Sequence, residues 1–514
     1  MTNPVNSTAE VRASAGTAEA RDPHYARRWW ILALLGIAQL MVVLDATIVN
    51  IALPHAQAAL NFSNNDRQWI VTGYSLAFGS LLLLGGRIAD LFGRKRTFII
   101  GVIGFAAASA FGGAAQNFDM LLIARVVQGA FGALLAPATL SLLTTTFRNP
   151  AERTKAMGIY GGIAGAGASV GLLLGGVLTE YLDWRSVMYV NVVIAAIALA
   201  GGLTLLHHVV TPERPKLDLV GTVLAGVGLF GIVYGFSNAS MSAGSSGWTQ
   251  PLTLIMLIGG AVLLALFVYA ETRVAHPLLP LRVITDRNRA GAYLAMFFAS
   301  IGMFGVFLFL TYYLEDNLQW TAVKTGAAFL PLTLVLVVVA AVGNTVLLSR
   351  ISARILVPFG LLLAAVGMAL LTNIGPTPDY VGAILPTLLL IGAGLGMVFA
   401  PSFTLGTYGV DPSDAGVASA TVNVAQQVGG SVGTALLNTI ATTVAASYVT
   451  SHVAEITSAA SKQMVEANSL LQSYHTVFWV AAAIYVGCAV LCGLLLRSGI
   501  AIPEEGAEPV AVHV

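Results

Sequence analysis

Residues 86–96 read GRIADLFGRKR and separate two long apolar runs, one ending at Leu84 and the other beginning at Thr97. One acid and four bases in so short a segment cannot lie in hydrocarbon, because a charged side chain at the bilayer centre costs about 3 kcal/mol or more. The segment is therefore predicted to end one membrane helix and begin the next. Gly86 allows two helices to approach closely, and Gly93 allows a tight turn.

The composition also indicates a membrane protein. The chain is 57% hydrophobic and 10% charged, whereas soluble domains carry about 25% charged residues. A formal net charge of +1 gives no general attraction to nucleic acid. The first apolar run, 29–53, is too long for the core of a signal peptide and is predicted to remain as the first membrane span. We predict an all-α polytopic membrane protein.

The number of spans follows from the apolar runs, since a membrane helix needs about 20 apolar residues. Fourteen runs can be drawn: 29–53, 68–86, 97–116, 120–146, 156–178, 184–206, 219–239, 251–271, 290–314, 325–349, 354–374, 381–406, 416–448 and 475–497. An even number of spans places both termini on the same side of the membrane.

The basic residues indicate which side that is. Of the 25 Lys and Arg residues, all but five fall on the side that holds both termini. The exceptions are Arg67, Arg185, Lys324 and Lys462 on the other side and Arg125 inside a span. Because cytoplasmic loops carry the excess of Lys and Arg, both termini are predicted to be cytoplasmic.

Prolines and charges divide the spans into groups of six, two and six. Pro212 and Pro215 follow the first six spans, and a basic connector from Glu271 to Arg289 precedes the last six. The predicted regions are a disordered cytoplasmic tail at 1–28, a six-helix bundle at 29–210, a linker with two extra membrane helices at 211–289, a second six-helix bundle at 290–497 and a cytoplasmic tail at 498–514.

Two of these stretches resemble a known family. GRIADLFGRKR resembles the signature loop between helices 2 and 3 of the major facilitator superfamily, and residues 44–54, LDATIVNIALP, resemble a helix 1 motif of its fourteen-helix drug–proton antiporter branch. The resemblance covers about residues 29–497. It implies two six-helix bundles, each an inverted pair of three-helix units. It also implies multidrug efflux, and hence antibiotic resistance, by proton-coupled antiport through alternating access.

Asp45 and Arg125 are the candidate proton-coupling residues. A carboxylate within a membrane span is a functional candidate by default, and in the resembling branch this acid is linked to proton coupling. Arg125 lies roughly 8 Å and Asp45 roughly 12 Å below the outer membrane surface at 1.5 Å per residue. These depths allow contact if helices 1 and 4 are neighbours, as the resemblance implies. Because Arg keeps its charge, Arg125 is then expected to hold Asp45 ionised until substrate or a conformational change weakens the pair. The alternatives are a structural Asp45 that hydrogen-bonds to a neighbouring helix and a permanently paired, structural Arg125.

The resemblance also implies a cytoplasmic gate, in which the loop fastens the two halves together when the transporter faces outward. The predicted gate residues are Gly86, Asp90, Gly93 and Arg94. Asp90 is able to accept hydrogen bonds from Arg94 or from the amides at a helix N-terminus, and helix 13 begins after residues 411–414. Leu91 stands where the family usually has a base. The alternative is a loop that only anchors the chain by its positive charge.

Helix 5 carries glycines at spacings that allow close helix packing. The run resembles a motif of exporters, with Leu172 in place of the usual proline, and Gly165, Gly171 and Gly175 are its predicted conformational residues. At the start of helix 6, Trp184, Arg185 and Asn191 resemble the same branch. The predicted lining of the substrate cavity is Asn50, Gln128, Phe304, Phe399, Asn423 and Gln427. The alternatives are amides that bond between helices and rings that face lipid.

No nucleotide-binding glycine loop, catalytic triad spacing or metal cluster is evident, so neither an enzyme nor an ATP-driven pump is indicated. We expect no cofactor beyond the coupling proton. The expected partners are a small amphiphilic substrate, protons and the lipid bilayer of the inner (cell) membrane, without nucleic acid, and the chain is expected to function as a monomer. Two alternatives stay open: export of an endogenous lipid, siderophore or self-made antibiotic, and a non-transporting membrane sensor or scaffold.

Overall fold

The computed structural model describes residues 25–499 apart from 63, 148, 208–217, 242–244, 275–276, 377–378, 412–413 and 456–457. These residues form helices and turns without a strand. Thirteen of the described helices are long and apolar enough to cross a membrane, or fourteen if the two halves of the fifth count as one span. The all-α membrane fold is therefore confirmed. The predicted tails at 1–28 and 498–514 lie almost entirely outside the described residues.

The first six membrane helices are α1 (Arg28–Leu60), α2 (Asn64–Phe92), α3 (Arg94–Gly113), α4 (Phe118–Thr146), α5 (Pro150–Tyr181) and α6 (Ser186–Leu205). Their ends follow from the local sequence. The Asn117 side chain accepts from the amide of Met120 and so caps α4, and the Asn149 side chain caps α5 in the same way.

The junction between α2 and α3 is shorter than the sequence predicts. Helix α2 continues to Phe92, so Gly86 and Asp90 lie on its last two turns rather than in a loop. Gly93 alone forms the break between the helices, with φ of 93°, a value that residues with a Cβ rarely adopt. The charges of the segment are thereby fixed on two rigid helix ends.

Two further helices, α7 (Leu219–Met241) and α8 (Pro251–Glu271), follow the first six. Helix α8 packs mainly against α7, and α7 packs against α2 and also against a helix near the C-terminus, α13, defined below. After α8, the carboxylate of Glu271 accepts from the amides of Leu278 and Leu279 and orders the connector there.

The last six helices form a second group. Helix α9 is Arg287–Tyr312, and α10 consists of Ala322–Ala328, Leu330–Val342 and Leu348–Arg350 with a π-helical turn at Gly343–Leu347. They are followed by α11 (Ala353–Leu371), α12 (Leu385–Thr407), α13 (Ala415–Ser451) and α14 (Ala459–Leu495). Helices α13 and α14 contain 37 residues each, about 55 Å at 1.5 Å per residue, so both extend beyond the membrane.

The two groups of helices meet directly. Helix α5 packs against α10 and α12, while α13 packs against α2 and α4. We call the end of the molecule at which Arg28, Arg94 and Arg282 lie the basic end, and the end that holds Asn61 and Trp184 the opposite end. Both interfaces reach the basic end.

Candidate functional site

Asp45 of α1 lies in the interior of the first six helices, surrounded by polar side chains from four of the others. We call this group the Asp45 network; its members are Asp45 of α1, Tyr74 of α2, Ser109 of α3, Arg125 and Gln128 of α4, and Asn191 of α6. All are buried. Each is a polar residue within a largely apolar helix. The packing of the helices brings these side chains into contact with one another.

Arg125 and Asp45, the predicted pair, are in contact. Nη1 of Arg125 lies 2.6 Å from Oδ2 of Asp45, with the side chains 1% and 0% exposed. The ring of Tyr74 lies against the other side of the guanidinium, whose central carbon is 4.2 Å from the ring centroid. Since a desolvated cation is stabilised by an aromatic face, Tyr74 helps to hold the Arg125 charge at this depth.

The second oxygen of Asp45 is also saturated with donors. Oδ1 accepts from Nε2 of Gln128 at 2.8 Å and from Nδ2 of Asn191 at 2.7 Å. Ser109 Oγ accepts from the same two amides, at 2.6 and 3.2 Å. Hydrogen bonds to an ionised acceptor are about twice as strong as neutral ones. The network is therefore built for a carboxylate at position 45.

Sequence reasoning missed part of this network. It placed Gln128 in the substrate cavity, noted Asn191 as part of a motif without a role, and did not identify Tyr74 or Ser109. Ser109 stands in a run of alanines and glycines, and a lone hydroxyl there is a weak signal. Only the packing of α3 against α4 and α6 brings it to the carboxylate.

The predicted glycines of α5 lie at helix contacts. A Cβ at Gly171 would collide with Thr47 Oγ1, and one at Gly175 would lie 2.9 Å from Ile48, both on the turns of α1 next to Asp45. A Cβ at Gly165 would instead lie 2.7 Å from Leu336 of α10. Helix α5 thus touches the Asp45 segment on one face and the second bundle on the other.

The predicted gate residues lie at the basic end between α2 and α13, and we call this the α2–α13 contact. Oδ1 of Asp90 accepts from the backbone amide of Gly416 at 3.1 Å and lies 3.5 Å from Nη2 of Arg94. A Cβ at Gly86 would lie 2.6 Å from the carbonyl oxygen of Gly416. A carboxylate at the first turn of α13 is stabilised by the helix dipole.

A second ion pair lies beside this contact. Oδ2 of Asp414, the residue before α13, accepts from Nη2 and Nε of Arg282 at 2.7 and 3.1 Å. Asp414 is buried, while the Arg282 side chain is largely exposed. The connector after α8 is therefore fastened to the same helix start that receives Asp90, a pairing that the sequence does not reveal.

The other interface has a contact of its own at the basic end. Nδ2 of Asn344, on the π-helical turn of α10, donates to the carbonyl oxygen of Thr154 on α5 at 2.5 Å and to Thr404 Oγ1 on α12 at 2.8 Å. Asn344 is fully buried, and Gly158 leaves room for it on α5. We call this the α5–α10–α12 contact. Its sequence signal was available, since Asn344 is a lone amide in a long apolar run.

The remaining predicted cavity residues are Asn50 on α1 and four residues on three helices of the second group. Asn423 is buried and donates to the carbonyl oxygen of Ser419 on its own helix. The Phe304 ring lies against Gly430 of α13, and Phe399 of α12 is fully buried. Gln427 is half-buried on α13, and the Asn50 side chain is outside the described part of the structure. Their assignment to a substrate cavity stays a prediction.

A small apolar pocket lies toward the opposite end, between α1, α4 and α6, on the side of Asp45 away from the basic end. It is lined by Val49, Ala52, Leu53, Ala56, Leu121, Trp184, Val187 and Met188. None of these was predicted to line a cavity.

The chain is similar to several known proteins. The profile of the Major Facilitator Superfamily matches residues 35–434. The puromycin resistance protein of Streptomyces alboniger is 46% identical over 497 residues, 96% of each chain. The cephamycin export protein of Amycolatopsis lactamdurans is 38% identical, covering 80% of this chain and 84% of that protein. The multidrug resistance protein Stp of Mycobacterium tuberculosis is 31% identical, over 79% and 74% of the respective chains.

A solved structure shares the fold. The human organic anion transporter MFSD10 superimposes with a TM-score of 0.58, covering 90% of this chain and 100% of that one, at 14% sequence identity. At so low an identity the likeness concerns the fold alone.

Proposed function

Because the chain belongs to the major facilitator superfamily, we propose that it is a drug exporter that moves amphiphilic compounds out of the cell in exchange for protons. Relatives named for antibiotic resistance or export support the cargo class. The observation that carries the proton coupling is the buried Asp45–Arg125 pair. Asp45 is the proton carrier in this proposal, and no other cofactor takes part.

The network gives the coupling a physical basis. Every neighbour that contacts the two oxygens of Asp45 is a donor, so the present arrangement favours the carboxylate. A proton on Asp45 cancels the attraction to Arg125, which keeps its charge. The protonated network must rearrange, and α5, whose glycines contact α1 near Asp45 and also α10, carries that rearrangement to the other bundle.

The contacts at the basic end support a gate. In this structure α2 meets α13 through Asp90, and α5 meets α10 and α12 through Asn344. We propose that the basic end faces the cytoplasm, that the protein resides in the cell membrane as a monomer, and that both contacts break when the cavity opens inward. Gly165, Gly171 and Gly175 let α5 shift in that step.

Export of an endogenous lipid, a siderophore or a self-made antibiotic uses the same machinery and differs in cargo. A sensor or scaffold that does not transport has less support, because such a protein does not need a buried carboxylate held by three donors.

The test uses proteoliposomes with an acidic lumen. Exporters inserted with the basic end outward should take up a fluorescent amphiphile, or puromycin as a trial drug, while the lumen loses protons. Asp45→Asn is the matched control and should do neither. Uptake without proton movement contradicts the coupling, and competition by extracted lipids would point to a lipid cargo. Absence of both uptake and proton movement, with folded protein, contradicts transport.

A further inference from the structure

Two polar atoms of the Asp45 network have no partner: Nε of Arg125, which is a donor, and Oδ1 of Asn191, which is an acceptor. Oδ1 of Asn191 is buried and accepts no hydrogen bond, although Nδ2 of the same amide donates to both Asp45 and Ser109. Buried carbonyl oxygens in proteins are usually satisfied, and an exception needs an explanation. The spare acceptor is part of the same side chain whose nitrogen lies 2.7 Å from the carboxylate.

A protonated Asp45 needs such an acceptor. Its hydroxyl hydrogen cannot be accepted by Arg125, because a guanidinium is a donor only. Oε1 of Gln128 already accepts from Nη1 of Arg125 at 2.6 Å, and Oγ of Ser109 already accepts from two amides. The hydroxyl of Tyr74 donates to the carbonyl oxygen of Val42 at 3.4 Å and has no described hydrogen bond to Asp45. Among the described side chains that already bond to Asp45, Asn191 therefore carries the acceptor that is not engaged.

We infer that Asn191 is a positioning residue that responds to the protonation of Asp45. With the carboxylate it donates through Nδ2, and with the acid its amide turns over about the Cβ–Cγ bond and accepts the Asp45 hydroxyl through Oδ1. The proton stays on Asp45 and no covalent bond of Asn191 changes. In the present structure the hydroxyl oxygen of Ser109 accepts from this amide. Once the amide has turned, the hydroxyl is free to rotate and donate to Oδ1 of Asn191.

The turned amide makes the protonated state less stable in this conformation. Its N–H groups then turn away from Asp45 and Ser109, which are their acceptors in the present structure. The protonated network also loses its charge-assisted hydrogen bonds to the carboxylate, which are about twice as strong as neutral ones. A proton on Asp45 therefore destabilises the present conformation and favours another one. This inference rests on the proposed proton coupling and adds a residue to it.

No other titratable group competes for this role among the described residues around Asp45. Helix α4 presents Arg125 and α2 presents Tyr74, whose ring faces the guanidinium. Helices α3 and α6 present the neutral Ser109 and Asn191, and α5 faces this part of α1 with glycines.

The experiment is infrared difference spectroscopy of the purified full-length protein between neutral and acidic pH. The carbonyl band of the protonated Asp45 is identified by its loss in Asp45→Asn. We expect this band to shift in Asn191→Val and Asn191→Ala, which remove the acceptor, and to return toward the wild-type position in Asn191→Ser. Asn238→Val, which alters an amide of α7 that donates to Thr253 of α8 at 2.8 Å, should leave the band unmoved.

The possible outcomes distinguish the role of Asn191 from the proposed proton coupling. An Asp45 band that titrates but keeps its position in both Asn191→Val and Asn191→Ala overturns the role of Asn191 and leaves the proton coupling intact. A wild-type protein without any titrating band from Asp45 overturns both. If the Asn191 variants fail to fold, the side-chain amide of wild-type Asn191, labelled with an isotope, should shift on acidification and stay constant in Asp45→Asn.

Discussion

At Asp45, a single carboxylate sits at a depth where a free charge would be costly. Three donors from two other helices and the ring of Tyr74 behind Arg125 remove that cost. A buried ion pair of this kind is weak evidence for stability, because its desolvation offsets most of the attraction. The polar network is therefore better understood through what protonation does to it.

The first prediction concerns the acid itself. Asp45→Asn keeps the shape of the side chain but takes up no proton, so transport driven by a pH gradient should fall to background while drug exchange between equal concentrations continues. Proteoliposome uptake with and without the gradient measures both. Asp119→Asn, at an exposed acid in the first turn of α4, is the control and should transport at the wild-type rate. Gradient-driven uptake by Asp45→Asn at wild-type rates contradicts the assignment.

The second prediction concerns the pair. Arg125→Gln leaves a buried carboxylate without its counter-charge, and breaking a buried pair in this way costs about 3–5 kcal/mol. The thermal unfolding temperature in detergent should drop. In Asp45→Asn/Arg125→Gln no charge is left unpaired, so much of the loss should be recovered although transport stays absent. If the double variant is no more stable than Arg125→Gln, the two residues are not energetically coupled.

Among the helices, α13 and α5 make contacts between the two bundles at the basic end. Asp90 of α2 reaches the first amides of α13, and Asn344 of α10 reaches the backbone of α5. In both cases a side chain of one helix bonds to the main chain of another across the interface between the bundles. Such bonds are lost all at once when the helices separate, which suits a gate with two states.

The third prediction tests the α2–α13 contact. Asp90→Ala removes a carboxylate from a helix N-terminus and should shift the equilibrium toward an open basic end by about 1–3 kcal/mol. A cysteine at Thr421, half-buried on α13, should then react faster with a reagent added at the basic end. Arg94→Ala should have a smaller effect, since its pairing distance is 3.5 Å. Unchanged labelling in Asp90→Ala would mean that the segment only anchors the chain.

The fourth prediction tests the α5–α10–α12 contact. Asn344→Ala removes both hydrogen bonds and should widen the distance between spin labels at the basic ends of α5 and α10. Thr404→Val, which removes one of the two acceptors, should do so less. Because this contact shares no residue with the Asp90 contact, the effects of Asn344→Ala and Asp90→Ala should add to within about 0.5 kcal/mol. Strong non-additivity would show that the two contacts form a single lock.

For the molecule as a whole, the two groups of six helices contact each other without an intermediary. Helix α7 packs on the outside of α2 and α13, and α8 packs mainly on α7. The linker helices therefore cover one interface but do not form the connection between the bundles.

The fifth prediction follows from that arrangement. Deleting Leu219–Glu271 removes two spans, leaves the sidedness of the last six helices unchanged, and should give a folded protein whose transport rate falls by less than about tenfold, or about 1.4 kcal/mol. Deleting Pro251–Glu271 alone forces the remaining basic loops to the wrong side, and this variant should be inactive. Gel filtration and the uptake assay test both. If the protein that lacks Leu219–Glu271 does not fold, α7 is needed to hold α2 against α13.

Much of this could be predicted from residue types and their order. The apolar runs and the asymmetry of basic residues predict the fourteen spans, because the bilayer sets the length of a helix and the cost of a charge within it. Asp45 and Arg125 stand out for the same reason, and their depths predict contact once the family resemblance makes helices 1 and 4 neighbours. The roles of Gly86 and Gly93 can be predicted because few other residues allow a close approach of two helices or a positive φ.

What only the tertiary structure decides is which neutral polar residues come together. Ser109, Gln128 and Asn191 are ordinary in their own helices, and their meeting at Asp45 depends on how α3, α4 and α6 are rotated about their axes. Likewise, Asn344 becomes a contact because a π-helical turn of α10 lies against α5. Hydropathy fixes where a helix crosses the membrane but not which face it turns to its neighbour, since lipid and protein interior are almost equally apolar.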